Sequence, residues 1–207
     1  MIPFSAAAFT ALFVVVEPIG VVPMFAALTR DRPRDEVRRI AFRASVVGGL
    51  VLTLFALGGR FFLDALGVRI DAFRMAGGLL LLLTALDMLR AKQSACRCSA
   101  REVEEAQSRE DLAIVPVAIP LLAGPGAMAT VMMLMSRATS PGMIGGVFVA
   151  IALTFLASYL VLRSAEPIAR WMGPSVTAVV QRVLGLVLAA MSLQFIVEGG
   201  LNLLNRG

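Results

Sequence analysis

The stretch "VVVEPIGVVPMF", residues 14–25, places one carboxylate and two prolines inside an apolar run. Proline lacks the N–H that closes a helical hydrogen bond, and its ring crowds the preceding turn. The residue before a proline is also pushed away from the α-helical backbone conformation. The sequence therefore predicts a helix that is interrupted at Glu17, where a charged side chain and freed backbone groups lie together.

The chain as a whole has the composition of a membrane protein. Of its 207 residues, 58% are apolar and 16% are charged, against roughly 45–50% and about 25% in a typical soluble domain. A helical span needs about 20 residues. Because lipid offers no hydrogen-bond partners, the backbone groups of a span must bond within the segment, as they do in a helix. The first run has no basic leader region, so it is not expected to be a signal peptide. Six predicted spans follow: 3–29, 42–63, 70–90, 113–136, 142–163 and 178–201.

Lysine and arginine are unevenly distributed between the predicted loops. Fourteen of the 19 flank loops 30–41, 91–112 and 164–177, and the other five lie on the opposite side. Because positive loops stay in the cytoplasm, we expect a multi-pass protein of the bacterial inner membrane with both termini outside, in the periplasm. The net charge of +5 then reflects topology, and no nucleic-acid partner is expected.

Several kinds of site are disfavoured by the residue types present. The chain has no histidine, and its two cysteines, Cys96 and Cys98, lie in one predicted loop; we therefore expect no zinc or other metal site. There is no glycine-rich phosphate loop with its lysine. A hydrolase would need a nucleophile with a base, or two carboxylates at one site, whereas Glu17 and Asp87 are predicted at different depths. We expect neither enzyme activity nor a bound cofactor.

The chain repeats itself at a nearly constant offset. The segment "VEPIGVVPMFAALT" (16–29) is similar to "AGPGAMATVMMLMS" (123–136), 107 residues later, and "FRMAGGLLLLLTAL" (73–86) to "QRVLGLVLAAMSLQ" (181–194), 108 residues later. A three-helix unit copied in tandem must enter the membrane in opposite orientations. Chance similarity between apolar helices is the alternative. The predicted fold is an all-α membrane protein with an inverted 3+3 repeat: residues 1–90, a charged cytoplasmic loop 91–112, and residues 113–207.

The interruption recurs in both halves of the repeat. Glu17-Pro18 corresponds to Gly124-Pro125, about 20 Å and about 17 Å from the starts of helices 1 and 4, so both are predicted to break near the midplane. Such a break is tolerated only where it is buried in protein or lines a wet cavity. N–H groups at the start of a half-helix suit a carboxylate, and freed carbonyls suit an ammonium. The alternative is that the prolines only shape helix packing.

These features predict a site for a small zwitterion between the two breaks. An ionisable residue inside a span is a functional hypothesis by default: Glu17 either faces the substrate ammonium or carries a coupling proton, the alternative being a protonated acid that bridges two helices. Coupling to H⁺ or Na⁺ is expected. Predicted substrate-binding residues are Glu17, Pro18, Gly20, Pro23, Gly124, Pro125, Gly126 and Thr130. Secondary candidates are Asp87, otherwise an interfacial residue, and Gln194.

Two segments carry a family resemblance. "EPIGVVPMFAALT" (17–29) and "AIPLLAGPGAMATVMMLMS" (118–136) resemble the MarC family of bacterial inner-membrane proteins, and the similarity extends over essentially the whole chain. The resemblance implies transport of small neutral amino acids and a relation to LysE-type exporters. It also implies importance for Pro18, Gly20, Pro23, Gly124, Pro125 and Gly126. The chain departs from the family pattern, which usually has Asn or Asp in place of Glu17 and Asn in place of Val21.

The sequence thus predicts a secondary transporter of small neutral amino acids that works by alternating access. An exporter of other small metabolites or drugs on the same scaffold is the alternative, although aromatic residues, at 7%, are few for a wide aromatic cavity. A non-transporting membrane subunit would not need matched helix breaks. Arg74 and Arg182, near the starts of their spans, are interpreted as anchors that snorkel to the interface. Glycine pairs at 48–49, 77–78 and 145–146 permit close helix contacts, within one chain or in a homo-oligomer.

Overall fold

The computed structural model describes residues 2–90 and 122–205, and α-helices dominate this part of the chain. The predicted loop 91–112, with Cys96 and Cys98, lies outside the described residues, as do residues 113–121. The described helices are α1 (Ile2–Val16), α2 (Pro18–Leu28), α3 (Arg34–Ala65), α4 (Ile70–Leu89), α5 (Pro125–Arg137), α6 (Pro141–Arg163) and α7 (Ala165–Asn205).

Five stretches of the described residues are long and apolar enough to cross a membrane, and they match five of the six predicted spans. The fourth predicted span, 113–136, is described only from residue 122. Its helix α5 has 13 residues and rises about 20 Å, less than the roughly 30 Å of a hydrocarbon core. An all-α membrane protein is therefore confirmed. The five stretches are Phe4–Leu28, Arg34–Ala65, Ile70–Leu89, Pro141–Arg163 and Ser175–Leu204.

Two helices begin earlier than predicted. Helix α3 starts at Arg34 rather than at residue 42, and α7 starts at Ala165 rather than at residue 178. Hydropathy marks only the turns that contact lipid, whereas charged turns beyond the lipid can remain helical. Acidic residues in the first turn of α3 also stabilise the start of this helix, because they lie at the positive end of the helix dipole. The boundaries predicted for loops 30–41 and 164–177 are therefore wrong.

Helix α7 is bent rather than straight. Gly173 has φ 59° and ψ 173°, a conformation that glycine adopts readily because it has no Cβ. The bend separates a short first segment, which follows α6 directly, from the membrane-length segment Ser175–Leu204.

Contacts between distant residues fix the direction of the helices. Asn202 donates a hydrogen bond of 3.1 Å to Asp71 at the start of α4, whereas a Cβ on Gly185 would lie 3.0 Å from Met88 at the end of α4. Helices α4 and α7 are therefore antiparallel. Arg137, which ends α5, bonds to Glu198, so the ends of α5 and α7 lie at the same face of the bundle as the start of α4.

The helices before and after residues 91–121 interlock. Helix α1 packs on α5 and α6, α2 on α6 and α7, α3 on α5 and α6, and α4 on α5 and α7. The helices before residue 91 thus make their principal described contacts with the helices after residue 121. Glycines allow the closest approaches: a Cβ on Gly77 would lie 2.5 Å from that of Ala129, and one on Gly78 would lie 3.0 Å from Ser192 O. These contacts lie within one chain.

Many large apolar side chains lie on the outside, while several small polar side chains lie inside beside the apolar core. Phe61 is 81% exposed and Leu186 65% exposed, whereas Thr130, Thr154 and Ser192 are fully buried. Water would penalise this arrangement, but lipid contacts large apolar side chains favourably while helix packing selects small residues. The surface is therefore one that faces a bilayer.

Candidate functional site

The first helix break is a single residue. Helix α1 ends at Val16, Glu17 has φ 54° and ψ 54°, and α2 begins at Pro18. Proline suits this first helical position because its missing N–H would have had no partner there. The left-handed conformation costs a non-glycine residue roughly 1–2 kcal/mol. A residue held in such a conformation within the protein interior is a candidate functional residue.

The carboxylate of Glu17 folds back over its own helix. Glu17 is only 3% exposed, and a Cβ added to Gly20 would lie 2.5 Å from Glu17 Oε1 and 2.8 Å from Cδ. Gly20 was predicted to bind substrate, and the group that fills the space beside it is the Glu17 side chain. The acid therefore lies at the positive end of α2, where a negative charge is favoured.

Helix α2 continues through Pro23 despite the missing N–H. The carbonyl of Ile19, four residues earlier, consequently loses its helical donor. Pro23 is half-buried, and its neighbours Val21 and Val22 are buried in the core.

At the second predicted break, the residues before 122 lie outside the described part of the chain. Gly124 is extended (φ −74°, ψ 169°), and α5 begins at Pro125. A Cβ on Gly126 would collide with the Leu81 side chain of α4, so helix packing fills the space next to this glycine. Thr130 is fully buried and donates a 2.7 Å hydrogen bond to Gly126 O, which engages its hydroxyl with its own helix.

A cluster of charged side chains joins three helices at one face. Glu198 of α7 accepts hydrogen bonds from Arg74 of α4 and, at 2.7 Å, from Arg137 of α5. Gln194 donates to the same carboxylate at 2.7 Å, and the Arg74 guanidinium lies 5.5 Å from the Phe195 ring centre. Arg74 is buried, so its interpretation as a snorkelling anchor is wrong; Arg182, at the corresponding repeat position, is exposed.

The two secondary candidates do not lie together. Gln194 bonds to Glu198 beside Arg74, near the start of α4, whereas Asp87 is half-buried near its end. Thirteen residues of helix separate positions 74 and 87, a rise of about 20 Å. Glu198, the centre of the cluster, was missed by the sequence analysis. The signal available was an acidic residue inside the predicted span 178–201.

Two cavities lie at opposite faces of the bundle. The Arg30 cavity, of about 830 Å³, is lined by residues at the end of α2, the start of α3 and the junction of α6 with α7. The Arg137 cavity, of about 580 Å³, is lined by residues at the start of α4 and the ends of α5 and α7. Arg38 lines the first and Arg60 the second. They are 22 residues apart on α3, about 33 Å, which is about the thickness of a hydrocarbon core.

Three described lining residues of one cavity lie 107 residues before three of the other, the offset of the predicted repeat. Ala26, Thr29 and Arg30 line one cavity, and Met133, Ser136 and Arg137, each 107 residues later, line the other. Both hydroxyls cap their own helices: Thr29 donates to Phe25 O and Ser136 to Met133 O, each at 2.8 Å.

Each predicted break precedes a half-helix that ends at one of the two cavities. The described linings of the cavities contain neither Glu17 nor Gly124. Helix α2 leads from Glu17 to the Arg30 cavity, and α5 leads from Gly124 to the Arg137 cavity. The substrate-binding assignments at the breaks remain predictions.

Residues 2–204 match the MarC family of integral membrane proteins. The chain belongs to the MarC family. A UPF0056 membrane protein of Methanocaldococcus jannaschii is 38% identical to this MarC-family chain over 192 residues, 93% of each protein. YhcE of Escherichia coli, also a UPF0056 membrane protein, is 32% identical over 92% of this chain and 89% of its own. YvbG of Bacillus subtilis is 31% identical over 96% of this chain and 95% of its own. No solved structure matches the chain.

Proposed function

We propose that this MarC-family chain is a secondary transporter that carries small neutral amino acids across the bacterial inner membrane by alternating access. The observation that carries the proposal is the pair of cavities at opposite faces, lined by corresponding positions of the two repeats. A carrier of this kind exposes one site to each side in turn, and related halves supply the two entrances.

Helix packing supports the inverted 3+3 repeat in this proposal. Exchanging α1–α2 with α5, α3 with α6, and α4 with α7 maps most of the principal helix contacts onto one another. The contact of α1 with α6 then corresponds to that of α3 with α5, and the contact of α2 with α7 to that of α4 with α5. The contacts of α3 with α6 and of α4 with α7 correspond to themselves. Two copies of one three-helix unit that are related by a twofold axis would show such corresponding pairs of contacts.

The charges of the cavities support a zwitterionic substrate. The Arg137 cavity presents carboxylates from Asp71 and Glu198 together with guanidinium groups from Arg74 and Arg137, so both ends of an amino acid find an opposite charge. Among the described lining residues, Phe73 is the one aromatic side chain of this cavity. This lining favours small polar substrates over bulky aromatic drugs.

In the proposed cycle the substrate binds between the breaks and reaches each cavity along a half-helix. Glu17 lies in the protein interior where α2 begins, and we assign it the coupling proton or the contact with the substrate ammonium. Pro18, Gly124 and Pro125 shape the half-helix ends that receive the carboxylate. The coupling ion is H⁺ or Na⁺, and the Arg30 cavity faces the cytoplasm.

Transport in liposomes tests the proposal directly. Purified protein is reconstituted, offered labelled glycine, alanine, serine and threonine, and subjected to pH and Na⁺ gradients separately. We expect saturable accumulation of at least one of these amino acids under one gradient, and exchange without a gradient. Absence of both, with protein shown to be inserted and monodisperse, overturns the proposal.

The variant Glu17→Gln tests coupling. Glutamine is similar in size to glutamate but cannot carry a titratable proton, so proton-driven accumulation is expected to disappear while exchange of internal for external substrate persists. The Asp64→Asn variant, which alters an exposed residue at a helix end, serves as the control. Unchanged proton-driven accumulation in Glu17→Gln would remove Glu17 from coupling.

A further inference from the structure

The Arg30 cavity has a large excess of positive charge. One carboxylate, Glu166, stands among its described lining residues, and Arg170 donates to it at 2.6 Å. Arg32 pairs with Glu36. The remaining lining arginines form no ion pair with the described residues and are free to bind an anion. The cavity's arginines are Arg30, Arg32, Arg34, Arg38, Arg163 and Arg170.

The cavity lies at the level where the spans end. Arg34 is the first residue of one membrane-length helix and Arg163 the last of another, and Arg30 follows the span that ends at Leu28. Side chains at this depth meet lipid headgroups rather than acyl chains. An anion present at high local concentration at this depth is the phosphate of an anionic lipid.

An apolar stripe leads from the cavity into the membrane. On α3, Phe42 lies one turn after Arg38 and packs edge-on against Tyr159, with ring centres 5.8 Å apart. Tyr159 lies one turn before Arg163 on α6. The aromatic pair therefore lies directly below two arginines of the cavity. Side chains four residues apart share a helix face, and the stripe continues through the exposed residues Val46, Leu50 and Leu54.

We propose that the Arg30 cavity binds the phosphate of an anionic phospholipid, with the acyl chains along the α3 stripe. Guanidinium groups bind phosphate oxygens in pairs of parallel hydrogen bonds, and several unpaired arginines surround the space. A soluble phosphate would use the arginines alone, whereas a lipid uses the arginines and the apolar stripe together. The Arg30 cavity is also the cytoplasmic entrance of the transport proposal, but lipid binding is measured without substrate, so the failure of either proposal can be told from the failure of the other.

Binding of fluorescent phosphatidylglycerol to the purified full-length chain in a neutral detergent tests the site. The variant Arg38→Gln/Arg163→Gln is expected to raise the Kd about tenfold or more. The matched control Arg39→Gln/Arg43→Gln removes the same number of positive charges, both from α3, but leaves the described lining of the cavity intact, and we expect its Kd to change less than about twofold. Should the first variant fail to fold, Arg30→Gln/Arg34→Gln replaces it with the same expectation.

Competition identifies the source of the phosphate. Unlabelled phosphatidylglycerol is expected to displace the probe, phosphatidylcholine to leave it bound, and glycerol phosphate to compete only at far higher concentration. Val46→Ser/Leu50→Ser is expected to weaken lipid binding. Equal losses in the cavity variant and its control would show attraction by general positive charge and overturn the site. Competition by glycerol phosphate as strong as that by the lipid would overturn the lipid assignment.

Discussion

At the scale of single residues, Glu17 and Gly20 form one unit. The left-handed backbone of Glu17 turns the chain, and its side chain occupies the space that a Cβ at Gly20 would need. Pro18 accounts for the start of α2 at that position. Because Gly20 has no Cβ, the Glu17 carboxylate can occupy the space beside it. The break thus positions the carboxylate.

The variant Gly20→Ala tests this unit. The added Cβ would displace the Glu17 carboxylate, and we expect a loss of roughly 1–3 kcal/mol in stability together with loss of transport. In a Glu17→Gly background the clash and the left-handed strain both disappear, so Gly20→Ala is expected to become neutral or slightly stabilising. Thermal unfolding in detergent of the four proteins of this double-mutant cycle measures the coupling. Additive effects would contradict the contact.

Sequence reasoning reached Glu17 but not Glu198, for a physical reason. Pro18 follows Glu17 directly, and a local steric rule is enough to predict the break. Arg74 and Glu198 are 124 residues apart, and their pairing depends on the antiparallel register of α4 with α7. Likewise, the sequence singled out Gly126, but its neighbour Leu81 could be identified only from the tertiary structure.

At the scale of elements, α4 and α7 are held by close contacts along their length and by a charged cluster near the start of α4. Gly199 of α7 lies against the backbone of α4, since a Cβ there would be 2.8 Å from Asp71 O. The adjacent Gly200 has room, with 3.8 Å to Met75 Sδ. Two neighbouring glycines of one helix therefore have different roles.

Substitution of these two glycines separates packing from helix propensity. Gly199→Ala is expected to lose roughly 1–3 kcal/mol because the backbone of α4 must move. Gly200→Ala is expected to be neutral or to gain up to about 1 kcal/mol, as alanine favours a helix interior. Unfolding temperatures in one detergent compare the two variants. Equal destabilisation by both would contradict the close contact at Gly199.

Removal of Glu198 tests the charged cluster as a link between α4, α5 and α7. Glu198→Gln leaves Arg74, whose side chain is 10% exposed, as an uncompensated buried charge, and we expect a loss of about 3 kcal/mol. Asp64→Asn removes an acid from an ion pair whose side chains are 81% and 70% exposed, with an expected change of about 0–1 kcal/mol. Arg74→Met in the Glu198→Gln background is expected to recover part of the loss. Similar unfolding temperatures for the two single variants would contradict the link.

The extent of the helices marks a limit of prediction at this scale. Hydropathy located five spans, but it placed the starts of α3 and α7 too late because charged turns outside lipid carry no apolar signal. The bend at Gly173 has a local explanation in a glycine followed by Pro174. The junction of α6 with α7 contributes to the Arg30 cavity, and the predicted loop 164–177 gave no sign of that cavity.

At the scale of the whole molecule, the proposed alternating access makes the two cavities change in opposite directions. Single cysteines are introduced at Thr29 and at Ser136 in a Cys96→Ser/Cys98→Ser background. A transported amino acid is expected to raise the rate of maleimide labelling at one position and lower it at the other, because opening one face closes the opposite one. Trp171→Cys, at a residue 84% exposed, is the control and should label at a constant rate. Changes of the same sign at positions 29 and 136 would contradict rocking of the two halves.

The Glu198 cluster has a consequence for the direction of flow. Under the repeat predicted from the sequence, Glu198 corresponds to Arg90, 108 residues earlier, so the acid that joins three helices has no acidic counterpart at that position. A carrier with identical halves would spend equal time facing each compartment. Under the proposed alternating access, the conformation that keeps this cluster intact is expected to be favoured at rest, and raising the ionic strength on that side is expected to make the rates of inward and outward transport more equal.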